Sequence, residues 1–399
     1  MLSLSEALDR LETALQALPR SLERVDLGNA PGRVLSESIL ADQADPPFDR
    51  SAMDGYAIRH EDASVGAILP ISGSVRAGDP PPLKGPEPGC VFRIMTGAPL
   101  PRGTDTVLIQ EDGEETNDER VRIVTSPPSG ANVRWRGEVR ETGATACAAG
   151  VRITPEVMAV LAGVGCTSVP VHRRPTVTIL STGDELVPVT EAPGPGQIRE
   201  SNGWSLEALA ASAGAVIQRR GRVPDERGAL EEAMSRGIQS DVLVVSGGVS
   251  RGAFDHVRET LEGLGAEILF HGVAIRPGKP VLVARVNSCL IFGLPGNPVS
   301  AMITGRVFLV PSLCCLGGGA FERPEGILGR LTASLGSNGG RLAFLPARVR
   351  LHGGEWEVTP VPTRGSADAV NHALGDALIL REPGAPEASV GSRVLTWVL

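Results

Sequence analysis

Between residues 174 and 319 short, continuous apolar runs alternate with amphipathic segments, and this alternation restricts the possible folds more than any other feature of the chain. Runs at 177–180, 242–245, 268–270 and 281–283 read as strands. Helices are expected over 204–213, capped by Ser201 or Asn202, from Asp225 through Arg236, after Asp255, and onward from Pro298. Strands apolar on both faces and separated by helices imply a parallel-rich sheet with helices on both faces. Ligands of such sheets bind beyond the carboxyl ends of the strands, so the loops there are where a site is expected.

The flanks have another texture. Residues 46–142 are rich in Gly, Pro and short β-type runs such as 107–109 and 121–124, which predicts a β-rich inserted domain. Residues 1–45 and 143–173 bracket it as one N-terminal or linking domain, in which 33–41 pairs with 144–173. The second bracket carries a short helix with Thr154 as N-cap, Pro155 in first position and Gly163 near its stop. The chain opens on an amphipathic helix with Leu4, Leu8, Leu11, Leu15 and Leu18 on one stripe and a capping box from Ser3 and Glu6. An α/β domain over 174–322 is followed by β runs, including 357–361, that predict a small C-terminal β-barrel over 323–399. The architecture expected is multidomain and elongated, α/β plus β.

Composition removes several functions. A net charge of −8, 3% aromatics and a single tyrosine, Tyr56, argue against a nucleic-acid binder, which needs a basic face and stacking rings. The six cysteines are scattered without a CxxC pair, as in a reduced, cytoplasmic protein. No apolar stretch reaches the ~18 residues of a membrane span, and the N-terminus lacks the basic start of a signal peptide.

The polar residues gather where the sheet predicts a site. One strand runs into Ser181, Thr182, Gly183, Asp184 and Glu185, and another into Ser246, Gly247, Gly248, Val249, Ser250, Arg251 and Gly252, with Asp255 close behind. Glycines let backbone N–H groups approach an anion, and the serines add donors; taken singly, each loop also reads as an ordinary βα turn. Asp184, Glu185, Asp225 and Asp255 fall at or beyond strand ends, and carboxylates beside an anionic ligand imply a bridging Mg²⁺; for Asp225 a plain helix N-cap serves as well. Arg276 and Lys279 lie on a proline-stiffened loop, followed by Pro295, Gly296, Asn297 and Ser300 at a helix start, which suits an oxyanion. In the β-rich segment PPFDRSAMDGYA (46–57) is too polar for a core strand, while Tyr56 and Phe48 look like packing; RIMTGA (93–98) reads as a polar turn.

Together PPFDRSAMDGYA (46–57), RIMTGAPLPRGTDTV (93–107), NVRWRGE (132–138), STGDEL (181–186), GQIRESN (196–202), SGGVSRG (246–252) with Asp255, RPGKP (276–280) and GLPGNPVSA (293–301) resemble the molybdopterin molybdenumtransferase family, which includes bacterial MoeA and the C-terminal domain of gephyrin. The resemblance implies a four-domain homodimer that takes up adenylylated molybdopterin and molybdate and releases AMP with Mg²⁺ assisting. It implies catalytic roles for Asp54, Thr96, Glu185, Asp255 and Lys279, with Asp54 and Thr96 serving the partner's crevice. Asp184, Glu185 and Asp255 would hold the metal. Ser181, Thr182, Gly183, Asp184, Asp225, Ser246, Gly247, Gly248, Ser250, Arg276, Pro295, Gly296, Asn297, Ser300 and Ser366 would bind the pterin substrate or the oxyanion. A molybdopterin adenylyltransferase and apo-molybdoenzymes are the implied protein partners. Four places depart from the family pattern: Val139 follows Gly137-Glu138, Leu345-Pro346 follows Phe344 where an Arg is usual, Ser366 stands in RGSA, and Gly272 replaces a frequent Lys. Arg341 and Arg348 are candidates to supply the missing cation. A non-catalytic molybdopterin-binding or scaffold homologue is the alternative these departures raise.

Overall fold

The computed structural model describes residues 1–248 and 256–399, so the expectations for Ser250 and Asp255 lie outside the described residues. The chain folds as two compact units, residues 1–36 with 169–399 and residues 37–168.

In the larger unit the alternating segment forms a six-stranded sheet, ordered Val216–Val223, Thr176–Thr182, Val242–Ser246, Cys289–Leu294, Leu282–Val286, Glu267–His271. The first four strands are parallel and the last two pair antiparallel. The sheet is parallel-rich, as the alternation implies, with a hairpin at one edge. Only Asn287 (φ 53°) and Ser288 separate Leu282–Val286 from Cys289–Leu294, and so short a connection joins antiparallel neighbours only. Two strands escaped the sequence reading. Val216–Val223 is a largely exposed edge strand with three arginines and no continuous apolar run. Cys289–Leu294, wholly buried, follows the preceding strand too closely to stand out.

Helices cover both faces. One face packs Asn202–Ser212, the continuous helical run Pro298–Leu316 and the N-terminal Leu4–Gln16 over Val177, Val244 and Phe292. There Phe270 and Phe308 meet with ring centroids 5.6 Å apart. The other face packs Arg227–Gly237 and His256–Gly263 over Leu180, Leu243 and Ile291. The run Pro298–Leu316 has 19 residues and mean hydropathy 1.7, longer and more apolar than the sequence reading allowed; 72% of it is buried inside the protein, as befits a core helix. The capping box forms as expected: the Ser3 hydroxyl accepts from the Glu6 N–H at 3.2 Å, and the Glu6 carboxylate accepts from the Ser3 N–H at 2.7 Å.

One capping expectation fails and another holds in position only. Asp225 does not cap the following helix, which begins at Arg227 with Glu226 in the cap position. Its carboxylate is instead drawn to the Thr182 hydroxyl at 3.0 Å. Ser201 occupies the cap of Asn202–Ser212 without a side-chain bond, because the Glu200 carboxylate takes the Gly203 N–H at 2.6 Å.

Beyond the sheet Ile327–Leu331, Leu342–His352, Glu355–Pro360, Ala377–Arg381 and Arg393–Val398 close into the expected barrel, since Leu342–His352 pairs with both its neighbours in the ring. In the smaller unit a six-stranded sheet runs Thr106–Ile109, Gly55–Ile58, Val91–Ile94, Ile68–Val75, Arg120–Ile123, Gly113–Thr116. The polar motif at 46–57 therefore ends in a buried strand, Gly55–Ile58. Tyr56 packs as expected at 1% exposed, whereas Phe48 is 39% exposed and is not core. The helix Pro155–Gly163 begins as predicted, the Thr154 hydroxyl accepting from the Val157 N–H.

Asp241 clamps the start of the central strands. Its carboxylate accepts from the Thr176 N–H and hydroxyl, both at 2.7 Å, and from the Arg173 guanidinium at 2.8 and 2.9 Å. Burial by itself raises this carboxyl, but the Thr176 and Arg173 donors more than reverse it and hold it below its ordinary value. A carboxyl depressed in the folded state stabilises above its unfolded pKa and loses that contribution as pH falls through the folded value. Asp241→Ala should cost about 1–3 kcal/mol at neutral pH, and the gap to wild type should narrow below roughly pH 4, read by denaturant unfolding at both pH values. An equal gap at both would contradict the assignment.

Candidate active site

Three adjacent parallel strands end level, with Ser181 opposite Ser246 and Ser246 opposite Leu294. The loops leaving these ends line a cleft of about 600 Å³. Thr176–Thr182 delivers Ser181, Thr182, Gly183 and Glu185; Val242–Ser246 delivers Ser246, Gly247 and Gly248; Cys289–Leu294 delivers Pro295, Gly296 and Asn297. Asp225 joins them from the end of the fourth parallel strand. Asp184 stands just behind, its carboxylate accepting the Asp225 N–H at 3.1 Å.

Glycine is required where these loops touch. A Cβ on Gly247 (φ 101°) would collide with the Thr182 carbonyl, so the second loop lies directly on the first only without a side chain. At Gly183 (φ 149°) a Cβ would meet the Glu185 carboxylate at 2.5 Å, so that carboxylate occupies the space a side chain would take.

Two residues outside the predicted set build the floor. The Asn202 amide donates to the Ser246 hydroxyl at 2.9 Å and to the Gly296 carbonyl at 2.7 Å, tying the second and third loops together. Glu200, only 7% exposed, accepts from the Ser181 hydroxyl at 3.0 Å and lies 3.7 Å from Arg220. Arg220 also pairs with Glu207 at 2.5 Å and stacks on Trp204 at 3.5 Å. The available signal was a carboxylate and an amide inside GQIRESN, directly before a helix.

Other predicted residues stand beside the cleft. Ser366 is carried from the C-terminal region: its hydroxyl meets the Asn297 amide at 3.0 Å and its carbonyl the Val299 N–H at 3.1 Å. Ser300 is buried in the first turn of the helix starting at Pro298. Lys279 is exposed, one residue before the lining Pro280. Arg276 reaches Asn338 at 3.4 Å rather than the lining. Neither candidate for the missing cation lines the cleft: Arg341 donates to the Ile275 carbonyl at 3.2 Å and Arg348 to the Leu374 carbonyl at 2.8 Å.

In the smaller unit Asp54 and Thr96 are brought together. The Asp54 carboxylate accepts from the Thr96 N–H at 2.6 Å and hydroxyl at 2.8 Å, and these bonds, the backbone one foremost, hold its pKa below the ordinary value. Tyr56 and Arg93 behind them share Glu115, with the Arg93–Glu115 pair at 2.5 Å.

The larger unit thus combines a parallel-rich sheet, a Gly-lined, carboxylate-rimmed cleft at its carboxyl edge and a five-stranded barrel. Family models match residues 2–165 as the MoeA N-terminal region, 178–314 as a probable molybdopterin binding domain, and 329–399 as the MoeA C-terminal region. A molybdopterin molybdenumtransferase of Nostoc sp. is 37% identical over 94% of this chain and 88% of its own. One from Haemophilus influenzae is 32% identical over 99% and 98%. The crystal structure of a molybdopterin biosynthesis MoeA protein from Pyrococcus horikosii superposes with TM-score 0.83 at 30% identity, covering 100% of this chain and 99% of that one. This chain belongs to the molybdopterin molybdenumtransferase family.

Gly247→Ala should introduce backbone strain of about 1–3 kcal/mol and abolish ligand binding in the cleft, while the fold of the smaller unit is unaffected. Calorimetric unfolding with a pterin-binding titration checks both; a variant that binds like wild type would show that the loops need no such contact.

Proposed function

We propose that this enzyme inserts molybdenum from molybdate into adenylylated molybdopterin and releases AMP. The supporting observation is the cleft itself: hydroxyls of Ser181, Thr182 and Ser246 and glycine backbone at the carboxyl edge, next to the carboxylates of Glu185 and Asp225, in a chain of this family. Hydroxyls and open N–H groups suit phosphate and pterin edges, and the carboxylates suit a hard cation.

Carboxylate oxygens are the donors Mg²⁺ takes, one or two at a time, with substrate oxygens completing its shell. Among the described residues no group of three or more His, Cys, Asp or Glu is gathered to hold a metal alone. We assign Mg²⁺ to Asp184, Glu185 and Asp255 acting with the substrate; bound there, it would polarise the phosphoryl group. The Lys279 ammonium, with Ser300 and Ser366, is assigned to molybdate, and the Asn297 amide orients the Ser366 hydroxyl. We assign Arg276 to the substrate's outer edge. Catalysis is then chiefly positioning and electrostatics: water would attack the adenylyl phosphorus, the anhydride bond to the molybdopterin phosphate oxygen would break, and AMP and the phosphate end of molybdopterin would be the products.

We further propose a cytoplasmic homodimer of four-domain protomers, receiving substrate from a molybdopterin adenylyltransferase and passing product to apo-molybdoenzymes. Asp54 and Thr96 of one protomer would serve the partner's cleft. Held below its ordinary pKa, the Asp54 carboxyl stays ionised at neutral pH and acts as an acceptor.

Single-turnover AMP release from adenylylated molybdopterin should depend on molybdate and Mg²⁺. Lys279→Ala should slow it about 100-fold or more, and the double variant Asp255→Ala, Lys279→Ala further still. Tight pterin binding by the wild type without AMP release would move the reading to a non-catalytic scaffold. Mixing inactive Asp54→Ala with inactive Lys279→Ala protein should restore roughly a quarter of wild-type activity, because mixed dimers retain one complete site. No recovery after subunit exchange would remove the shared-site assignment.

A further inference from the structure

We infer that Arg199 is a substrate-binding residue that grips the nucleotide phosphate, with Leu186 and Ile198 forming the ledge beside it; the inference rests on the proposed function and deepens it. The cleft lining is short of positive charge. It carries the carboxylates of Glu185, Glu200 and Asp225, and among the described residues Arg199 is its one cation. The acidic groups are not equally available. Glu200 is engaged by the Ser181 hydroxyl at 3.0 Å, the Gly203 N–H at 2.6 Å and Arg220 at 3.7 Å, and Asp225 by the Thr182 hydroxyl at 3.0 Å. A phosphate-bearing ligand entering this cleft gains most from a cation that is not already neutralised.

Arg199 meets that requirement. Its Nε donates to the Glu191 carbonyl at 3.1 Å, and no carboxylate pairs with it among the described residues. The bond orients the guanidinium while both terminal nitrogens keep their donors for a phosphate, the fork geometry that favours Arg over Lys. The backbone beneath is rigid. Leu186 and Val187 pair in parallel with Ile198 and Arg199, the Ile198 N–H donates to the Glu185 carbonyl at 2.8 Å, and the Glu200 N–H donates to the Val187 carbonyl at 2.8 Å. One short ladder thus ties the cation to the loop that holds Glu185, so little ordering is needed on binding. Ile198 is 56% exposed yet lines the cleft, an uncovered apolar surface beside the cation that suits a flat ring next to a phosphate.

The test is equilibrium binding of AMP to the full chain. R199A should weaken AMP about tenfold or more, and R199K by an intermediate factor because a point charge replaces the fork. R219A, which removes an exposed arginine outside the cleft lining, should leave AMP affinity unchanged. Equal AMP affinity in R199A and wild type, no AMP binding by the wild type, or an equal loss in R219A would each overturn the assignment. The two readings separate cleanly. Wild type that binds AMP through Arg199 but never releases it from adenylylated molybdopterin overturns the transferase proposal alone. Normal release with an R199A chain of unchanged AMP affinity overturns Arg199 alone.

Discussion

The level ending of three buried parallel strands is the constraint on which the larger unit depends. Register places Ser181, Ser246 and Leu294 side by side, and the loops that follow must then cross a space narrow enough that Gly247 lies on the Thr182 carbonyl. Close packing on both faces of the sheet locks that register, because a one-residue slip would exchange the side chains of the two cores and break the fit of each against its helices. The site is therefore a by-product of core packing, and its precision is that of the core.

Polar groups at the edge stay in place because they satisfy one another. Asn202 joins two loops, Glu200 joins a third to a helix start, and Arg220 balances Glu200 from the adjoining strand. A buried carboxylate without these donors would cost several kcal/mol; with them it fixes the floor of the cleft. At the opposite end of the strands Asp241 does the same for Arg173 and Thr176. The smaller unit follows the same rule on its own sheet, where the Asp54–Thr96 pair sits at the ends of paired strands and is backed by Tyr56, Arg93 and Glu115.

Much of this was legible in the residues. Apolar periodicity located the strands at 177–180 and 242–245 and the N-terminal helix, since those segments bury a continuous face and composition alone marks them. Glycine and serine after those strands located the cleft loops. Less legible were segments whose partner, not their own pattern, makes them structured. Val216–Val223 is a strand because Thr176–Thr182 offers it an edge, and Gly55–Ile58 is buried because two strands flank it. Asp225 reads as a helix cap until the Thr182 hydroxyl competes for it.

By itself the sequence determined the parallel-rich α/β core, the flanking β regions and the identities of the polar loops, because each is specified by local periodicity and turn chemistry. The tertiary structure alone decided which of those polar residues share a cleft. It set Arg276 against Asn338, brought Ser366 to Asn297 from 69 residues away, and put Arg199 into the cleft wall as its one cation among the described residues. The physical reason is that hydrogen bonds and ion pairs act over a few ångströms in space, whatever the distance along the chain, so only the closed register of the strands determines which groups meet.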